Sequence, residues 1–281
     1  MQVFYQKYDL FLVFLHIMKI IIIGAGNLAT SLAVALTDAG HDILQVYSRT
    51  MQSAQTLATI AGGAAVTDIS QVRADADVYI LSVKDDVLPV LIPQLCRGRE
   101  DKLFLHTAGS VSIDVFQGMA RHYGVFYPMQ TFSRQKRVSF EEIPCFIEGS
   151  GEEEEAAIEA LASQLSHRVY RLSSEARKYL HLSAVFACNF VNHCYAISAE
   201  LLEKHGIPFD VMLPLIDETA AKVHQMTPKD AQTGPAVRYD ENVIRAQSQL
   251  LKNNPLVKDI YDRMSMNIHR MFQVQSSKFQ V

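Results

Sequence analysis

The apolar positions of this chain change period in a regular way. Lys19–Ile23 is a β-branched run, the pattern of a strand buried on both faces of a parallel sheet. From Asn27 the period becomes helical, with Leu28, Leu32, Ala35 and Leu36 on one face and Gly40 as the stop. Asp42–Tyr47 is a second strand, residues 53–61 a helix and 65–67 a short strand. Further strands are expected at 78–83, 103–105, 124–127, 145–148 and 167–172, with a helix from Glu152 to about Ser166. Four glutamates, Glu152 to Glu155, open that helix and complement its dipole as a solvated cap. After Ser173 the strands stop, and helices are expected over 174–205, 208–225, 240–253 and 255–272. Thr227, Pro228 and Asp230 read as one more helix start. The pattern predicts an α/β domain, doubly wound about a mainly parallel sheet, over 18–173, and an all-α domain over 174–281.

Residues 1–17 stand outside this pattern. Their apolar run, Leu10 to Ile17, is too short to span a bilayer and lacks a signal-peptide cleavage site. Met18 directly precedes the first strand, so we expect it to be the natural start and 1–17 a non-native extension.

Chemistry enters between the first strand and helix. Gly24, Ala25 and Gly26 turn the chain where glycine lets backbone approach a pyrophosphate, and Asn27 and Leu28 open a helix whose free N–H groups attract anions. Gly24, Gly26 and Ala29 thus form a dinucleotide fingerprint in a strand–turn–helix context, as in a Rossmann domain. A tight turn with no ligand is the bland alternative. At the end of the second strand, where an NAD site carries a carboxylate, stand Ser48, Arg49 and Thr50. A guanidinium pairs with a 2′-phosphate and a hydroxyl supports it, so NADP is the expected cofactor; otherwise Arg49 is an ordinary surface charge.

Three later strands end in polar or small residues: Ser82, Val83, Lys84, Asp85 and Asp86; His106 to Ser110; Pro128 to Phe132. Ligands in open α/β sheets bind outside such carboxyl ends, which suggests one ligand-facing rim. Ser82, Val83 and Lys84 are expected to line the cofactor, and His106 and Ser110 to lie near the nicotinamide. Loop solvation explains any one of these residues equally well. On the long helix after Ser174, Lys178, His181, Asn189 and Asn192 span about 80° of an otherwise apolar surface at 100° per residue. Such a stripe faces a substrate cavity or makes interdomain hydrogen bonds. In the first case His181 or Lys178 donates a proton and Asn189 orients a small substrate in an interdomain cleft. In TGPAVRYD, Asp240 is a plausible N-cap, and Arg238 clamps a carboxylate or makes a structural salt bridge.

Composition narrows the classes. The chain has 281 residues, 49% hydrophobic and 20% charged, with a net charge of −4 and no basic block, which argues against nucleic acid. Cys96, Cys145, Cys188 and Cys194 have no CxxC spacing and read as reduced core residues of a cytoplasmic protein. No motif suggests a metal or a membrane span.

GAGNLA, SRT, SVKDD, HTAGS, YPMQTF, the helix with His181 and Asn189, and TGPAVRYD occur here in that order. Over Met18 to about Phe272 they resemble bacterial proteins with an N-terminal Rossmann-like domain and a C-terminal helical domain of unknown function. These are labelled NADP oxidoreductases by similarity to the deazaflavin-dependent enzymes. The chain is more loosely similar to pyrroline-5-carboxylate reductase and the β-hydroxyacid dehydrogenases. Many members of the nearer family have His-Pro where this chain has Tyr127-Pro128. The β-hydroxyacid dehydrogenases place an asparagine four residues after a catalytic lysine, where Lys178 is followed by Leu182. The resemblance implies hydride transfer with NADP on a C=O or C=N substrate, and a homodimer formed through the helical domain. A regulatory protein that holds NADP without turnover is the competing class. A short-chain dehydrogenase is disfavoured, since no Tyr-x-x-x-Lys is present.

Overall fold

The computed structural model describes residues 17–133 and 138–276, with side chains described through 273. Apart from Ile17, the expected extension lies outside the described residues. Two compact units divide between Cys188 and Asn189.

The first unit is an eight-stranded sheet in the order β3-β2-β1-β4-β5-β6-β7-β8. Its strands are β1 (Lys19–Ile23), β2 (Asp42–Tyr47), β3 (Ala64–Val66), β4 (Val78–Leu81), β5 (Leu103–His106), β6 (His122–Pro128), β7 (Cys145–Gly149) and β8 (Val169–Arg171). All neighbouring pairs are parallel except β6 with β7. The isoleucine run of β1 serves two cores at once. Ile20 and Ile22 pack on one face with Leu32 and Leu36, and Ile21 and Ile23 on the other with Leu88 and Phe104. Burial on both faces is why the run does not alternate with polar residues.

Helix α1 (Asn27–Asp38) follows β1, and α2 (Met51–Ala61) follows β2. Helix α2 starts two residues earlier than the sequence pattern suggests because Thr50 caps it, accepting a hydrogen bond from the Ser53 N–H. Helices α3 (Leu88–Cys96) and α4 (Glu152–Ser163) follow β4 and β7. The acidic start of α4 is partly engaged: His122 Nδ1 lies 2.6 Å from Glu154 Oε1, and Arg171 pairs with Glu155 at 2.7 Å.

Helix α5 (Ser174–Ala184), which the strand pattern alone assigns to the helical domain, belongs to the first unit. A buried arginine holds it there. Arg177, with 1% of its side chain exposed, donates to Glu148 Oε2 on β7 at 2.6 Å, to the Val111 carbonyl at 2.6 Å and to Ser174 Oγ at 3.1 Å. Ser174 in turn donates to both Glu148 oxygens, from its N–H at 2.9 Å and its hydroxyl at 2.6 Å.

A π-helical turn, Val185–Phe190, interrupts the long helix before α6 (Val191–Glu203). Its i→i+5 spacing breaks the 100° phase on which the expected polar stripe depends. The helix is also not otherwise buried: Tyr179 and Leu182 are exposed, and Arg177 is the buried residue of α5.

The second unit continues with α7 (Leu213–Lys222), α8 (Pro235–Arg238), α9 (Glu241–Leu250) and α10 (Pro255–Ser276). Asp240 caps α9 as expected, accepting from the Val243 N–H. Thr227 and Asp230 instead close a single turn, where Thr227 Oγ1 accepts from the Asp230 N–H at 3.2 Å and no helix begins. Cys96 and Cys145 are buried, whereas Cys188 is half-buried and Cys194 exposed, so two of the four thiols are not core residues. Among the described residues no helix is long and apolar enough to cross a membrane, and no group of His, Cys, Asp or Glu is placed to hold a metal ion.

Candidate cofactor and substrate site

Where β1 and β4 lie side by side, the chain connections leave the sheet in opposite directions. At this switch point a cavity of about 680 Å³ opens at the carboxyl ends of the strands. Its volume suits a cofactor or substrate. The lining begins at the glycine turn, Gly24 to Leu28, passes Tyr47, Ser48 and Arg49 after β2, and continues through Ser82 to Asp85 after β4. Thr107, Ala108 and Gly109 after β5, Tyr127 on β6 and His181 on α5 complete the far side. Every one of these residues belongs to the first unit.

The glycine turn suits a pyrophosphate on two counts. Gly24 has φ +116°, and a Cβ there would overlap the Ser82 carbonyl, so the close approach of the β1 and β4 turns requires glycine. At Gly26 a Cβ would meet open space, and no side chain caps α1. The N-terminus of α1 therefore keeps its positive dipole end for an anion. Asn27 supports the turn from the side, donating from Nδ2 to the Phe132 carbonyl at 3.0 Å. Arg49 is exposed at the β2 end of the cavity, where a 2′-phosphate would lie. Thr50 faces a different task, as the α2 cap.

Of the residues expected on the rim, Ser82, Val83 and Lys84 line the cavity. Ser110 does not, but its hydroxyl hydrogen-bonds the Asp85 carboxylate, tying the β4 and β5 loops together. His106 departs from expectation. It is fully buried, stacks on Phe116 with ring centroids 5.8 Å apart, and accepts from the Ala108 N–H at Nδ1. It shapes the loop from below and does not reach the cavity. Of the polar stripe, His181 lines it. Lys178 is exposed outside the lining, and Asn189 is an exposed residue of the second unit. Arg238 is also exposed there.

Arg177 and Glu148 carry no role in the sequence reading, and Tyr127 enters it only as the position where related proteins have His-Pro. Arg177 stands one turn before His181, the i to i+4 relation that puts both on one helix face, and this spacing was visible in EARKYLH. Glu148 carried no signal, being one carboxylate in an acidic stretch. Tyr127 lines the cavity with its Oη 3.0 Å from His181 Nδ1. Burial raises its phenol above the usual range, with the Arg177 charge opposing and Asp85 adding to the rise.

Residues 143–268 match the family described as a domain of unknown function (DUF2520), and residues 19–109 the family described as NADP oxidoreductase coenzyme F420-dependent. A crystal structure from Bacteroides fragilis, of a protein named a "putative NADP oxidoreductase", is 54% identical, with a TM-score of 0.87 over 90% of this chain and 98% of that one. An imine reductase from Myxococcus stipitatus in complex with NADP+ shares 17% identity and a TM-score of 0.65, over 91% of this chain and 94% of that one. A 1-pyrroline-5-carboxylate reductase from Streptococcus pyogenes shares 14% and 0.58, over 90% and 98%, respectively. The last two likenesses show the fold alone. No protein with a curated description matches the chain.

The His106 environment has a measurable consequence. Burial first, and the Arg177 charge second, push its pKa down to about 3. An unfolded histidine titrates near 6.5, so below that pH the unfolded chain takes up a proton that the folded chain refuses. The resulting stability is fully present above about pH 6.5 and is lost as pH falls toward 3. Wild type should therefore lose more of its urea midpoint between pH 7 and pH 4.5 than the His106→Leu variant does. Equal losses would contradict the assignment.

Proposed function

Because the chain belongs to the two-domain NADP oxidoreductase family of the Bacteroides fragilis protein, we propose that it transfers hydride between NADP(H) and a small C=O or C=N substrate held beside His181. The supporting observation is that one cavity joins the Gly24–Gly26 turn and Arg49 to an imidazole at its opposite end. When bound, the nicotinamide supplies or accepts the hydride. The protein does the rest. Backbone N–H groups at Asn27 and Leu28 hold the pyrophosphate, Arg49 and Ser48 the 2′-phosphate, and Ser82, Val83 and Lys84 border the dinucleotide. His181 gives or takes the proton that balances the charge left on the substrate heteroatom. Lys178 and Asn189 have no part in this reading.

We also propose that the protein works in the cytoplasm and as a homodimer. Four unpaired thiols suit a reducing compartment. The second unit buries only Ala236, Ser248 and Ser265 among its described residues, while Leu201, Ile207, Val211, Leu213, Leu215 and Val223 are exposed. A helical unit with so small a core is unstable alone, and a second copy presents the same apolar faces.

Three measurements test these readings. NADPH oxidation should be seen with a panel of ketoacids, aldehydes and cyclic imines, and His181→Ala should lower kcat by about 100-fold. Arg49→Ala should raise the Kd for NADPH by at least about tenfold while leaving that for NADH within about twofold. Tight NADPH binding without turnover would mark a regulatory protein, and equal effects on both cofactors would refute the role of Arg49. Light scattering should give a particle twice the 31.5 kDa of one chain, and Leu215→Lys should shift it toward the monomer. A single-chain mass for wild type would overturn the dimer.

A further inference from the structure

On the reading that NADP binds with its pyrophosphate at the glycine turn, the strand order fixes which way the cofactor runs. Arg49 follows β2 and the Gly24–Gly26 turn follows β1, so the adenosine half with its 2′-phosphate lies toward β2. The nicotinamide half then lies toward β4 and β5, which stand about 5 and about 10 Å beyond β1. A carboxylate lines the cavity in that half. Asp85 follows β4, and the Ser110 hydroxyl donates to its Oδ2. Ser110 adjoins Gly109, where a Cβ would stand 2.5 Å from His181 Nδ1. Asp85 is thereby tied to the loop that borders the imidazole.

Among the described residues this carboxylate makes no ion pair. Asp86 shares the same helical turn, Asp85–Val87, and does not line the cavity. Either residue would serve the helix dipole, and Asp85 is the one that reaches the cavity. The other charges near this half are Lys84, exposed on the same loop, and Arg177, whose buried guanidinium already holds Glu148. The field of Asp85 reaches the far wall: after burial, and against the Arg177 charge, it adds to the rise of the Tyr127 phenol.

An oxidised nicotinamide ring carries one positive charge and a reduced ring carries none, whereas the phosphates are the same in both forms. A carboxylate near the ring attracts the oxidised form. Its repulsion of the phosphates acts on both forms and cancels from the ratio of their affinities. We infer that Asp85 is the counter-charge of the oxidised nicotinamide, and that it biases the bound cofactor toward NADP+ and the protein toward reducing its substrate. In that direction the electron pair of the ring C–H bond leaves with the hydride and forms a C–H bond on the substrate carbon. The π pair of C=O or C=N moves to the heteroatom, which takes the His181 proton. The ring is left with the positive charge that Asp85 offsets. Whatever Lys84 and Arg177 add, the difference made by Asp85 is its own.

The test uses the whole protein without substrate and reads the Kd of NADP+ and of NADPH by titration calorimetry. Asp85→Asn removes the charge, keeps an oxygen that can accept from Ser110, and changes an exposed side chain on which no core packing rests. The ratio of the NADP+ Kd to the NADPH Kd should rise by about three- to tenfold over wild type. That rise corresponds to a bound potential higher by about 14 to 30 mV. Ser110→Ala releases the tie, keeps the charge and should leave the ratio within about twofold. An unchanged ratio in Asp85→Asn, with both forms bound, overturns the inference and leaves the hydride-transfer reading standing. An equal shift in Ser110→Ala also overturns it, since Asp85 would then act as a loop tie. If wild type binds neither form, the proposed function fails and the inference with it.

Discussion

A guanidinium and a carboxylate removed from water attract each other strongly, but each gives up its hydration to do so, and geometry decides the balance. At Arg177 and Glu148 the geometry is good. The guanidinium also reaches the Val111 carbonyl and Ser174 Oγ, and Glu148 receives both the N–H and the hydroxyl of Ser174. The cluster joins three places distant in sequence: β7, the loop after β5 and the first turn of α5. Removing one partner from such a pair strands a buried charge, at a cost of about 3–5 kcal/mol. The first unit therefore holds α5 as part of its own body, and His181, one turn further along, is carried to the cavity wall.

The sheet supplies the other half of the site. Because β1 is buried on both faces, its end is fixed where the chain must turn between two packed layers. Only glycine at position 24 permits the β1 turn to lie against the β4 turn. The glycine-turn end of the cavity is thus made by packing and backbone, and the His181 end by one helix held through an ion pair. The two histidines of the region show how environment divides their roles. His106, beneath the loop and beside the Arg177 charge, is kept neutral by burial. His181 stands at the lining, where it can exchange a proton with a substrate.

Much of this was legible in the residues. The isoleucine run, the Gly24–Gly26 turn and the start of α1 announce themselves through period and spacing, which are local properties. The bounds of β2 and the Asp240 cap follow from equally local rules. Legibility fails where long-range contacts decide. His106 and His181 both read as candidate site residues, and only the fold shows that one packs on Phe116 and the other on Tyr127. The polar stripe supposes an unbroken α-helix, and the π-helical turn at Val185–Phe190 has no composition signal of its own. Arg177 looks like a solvated charge until Glu148, 29 residues away, is placed beside it.

If the Arg177–Glu148 pair holds the reactive end of the site together, the anchoring of α5 should depend on it. Amide hydrogen exchange of Arg177→Met resolves this helix by helix. Exchange over Ser174–Ala184 should accelerate by at least about tenfold relative to wild type, with β1 and β2 protected as before. Unchanged protection of α5 in that variant would contradict the account.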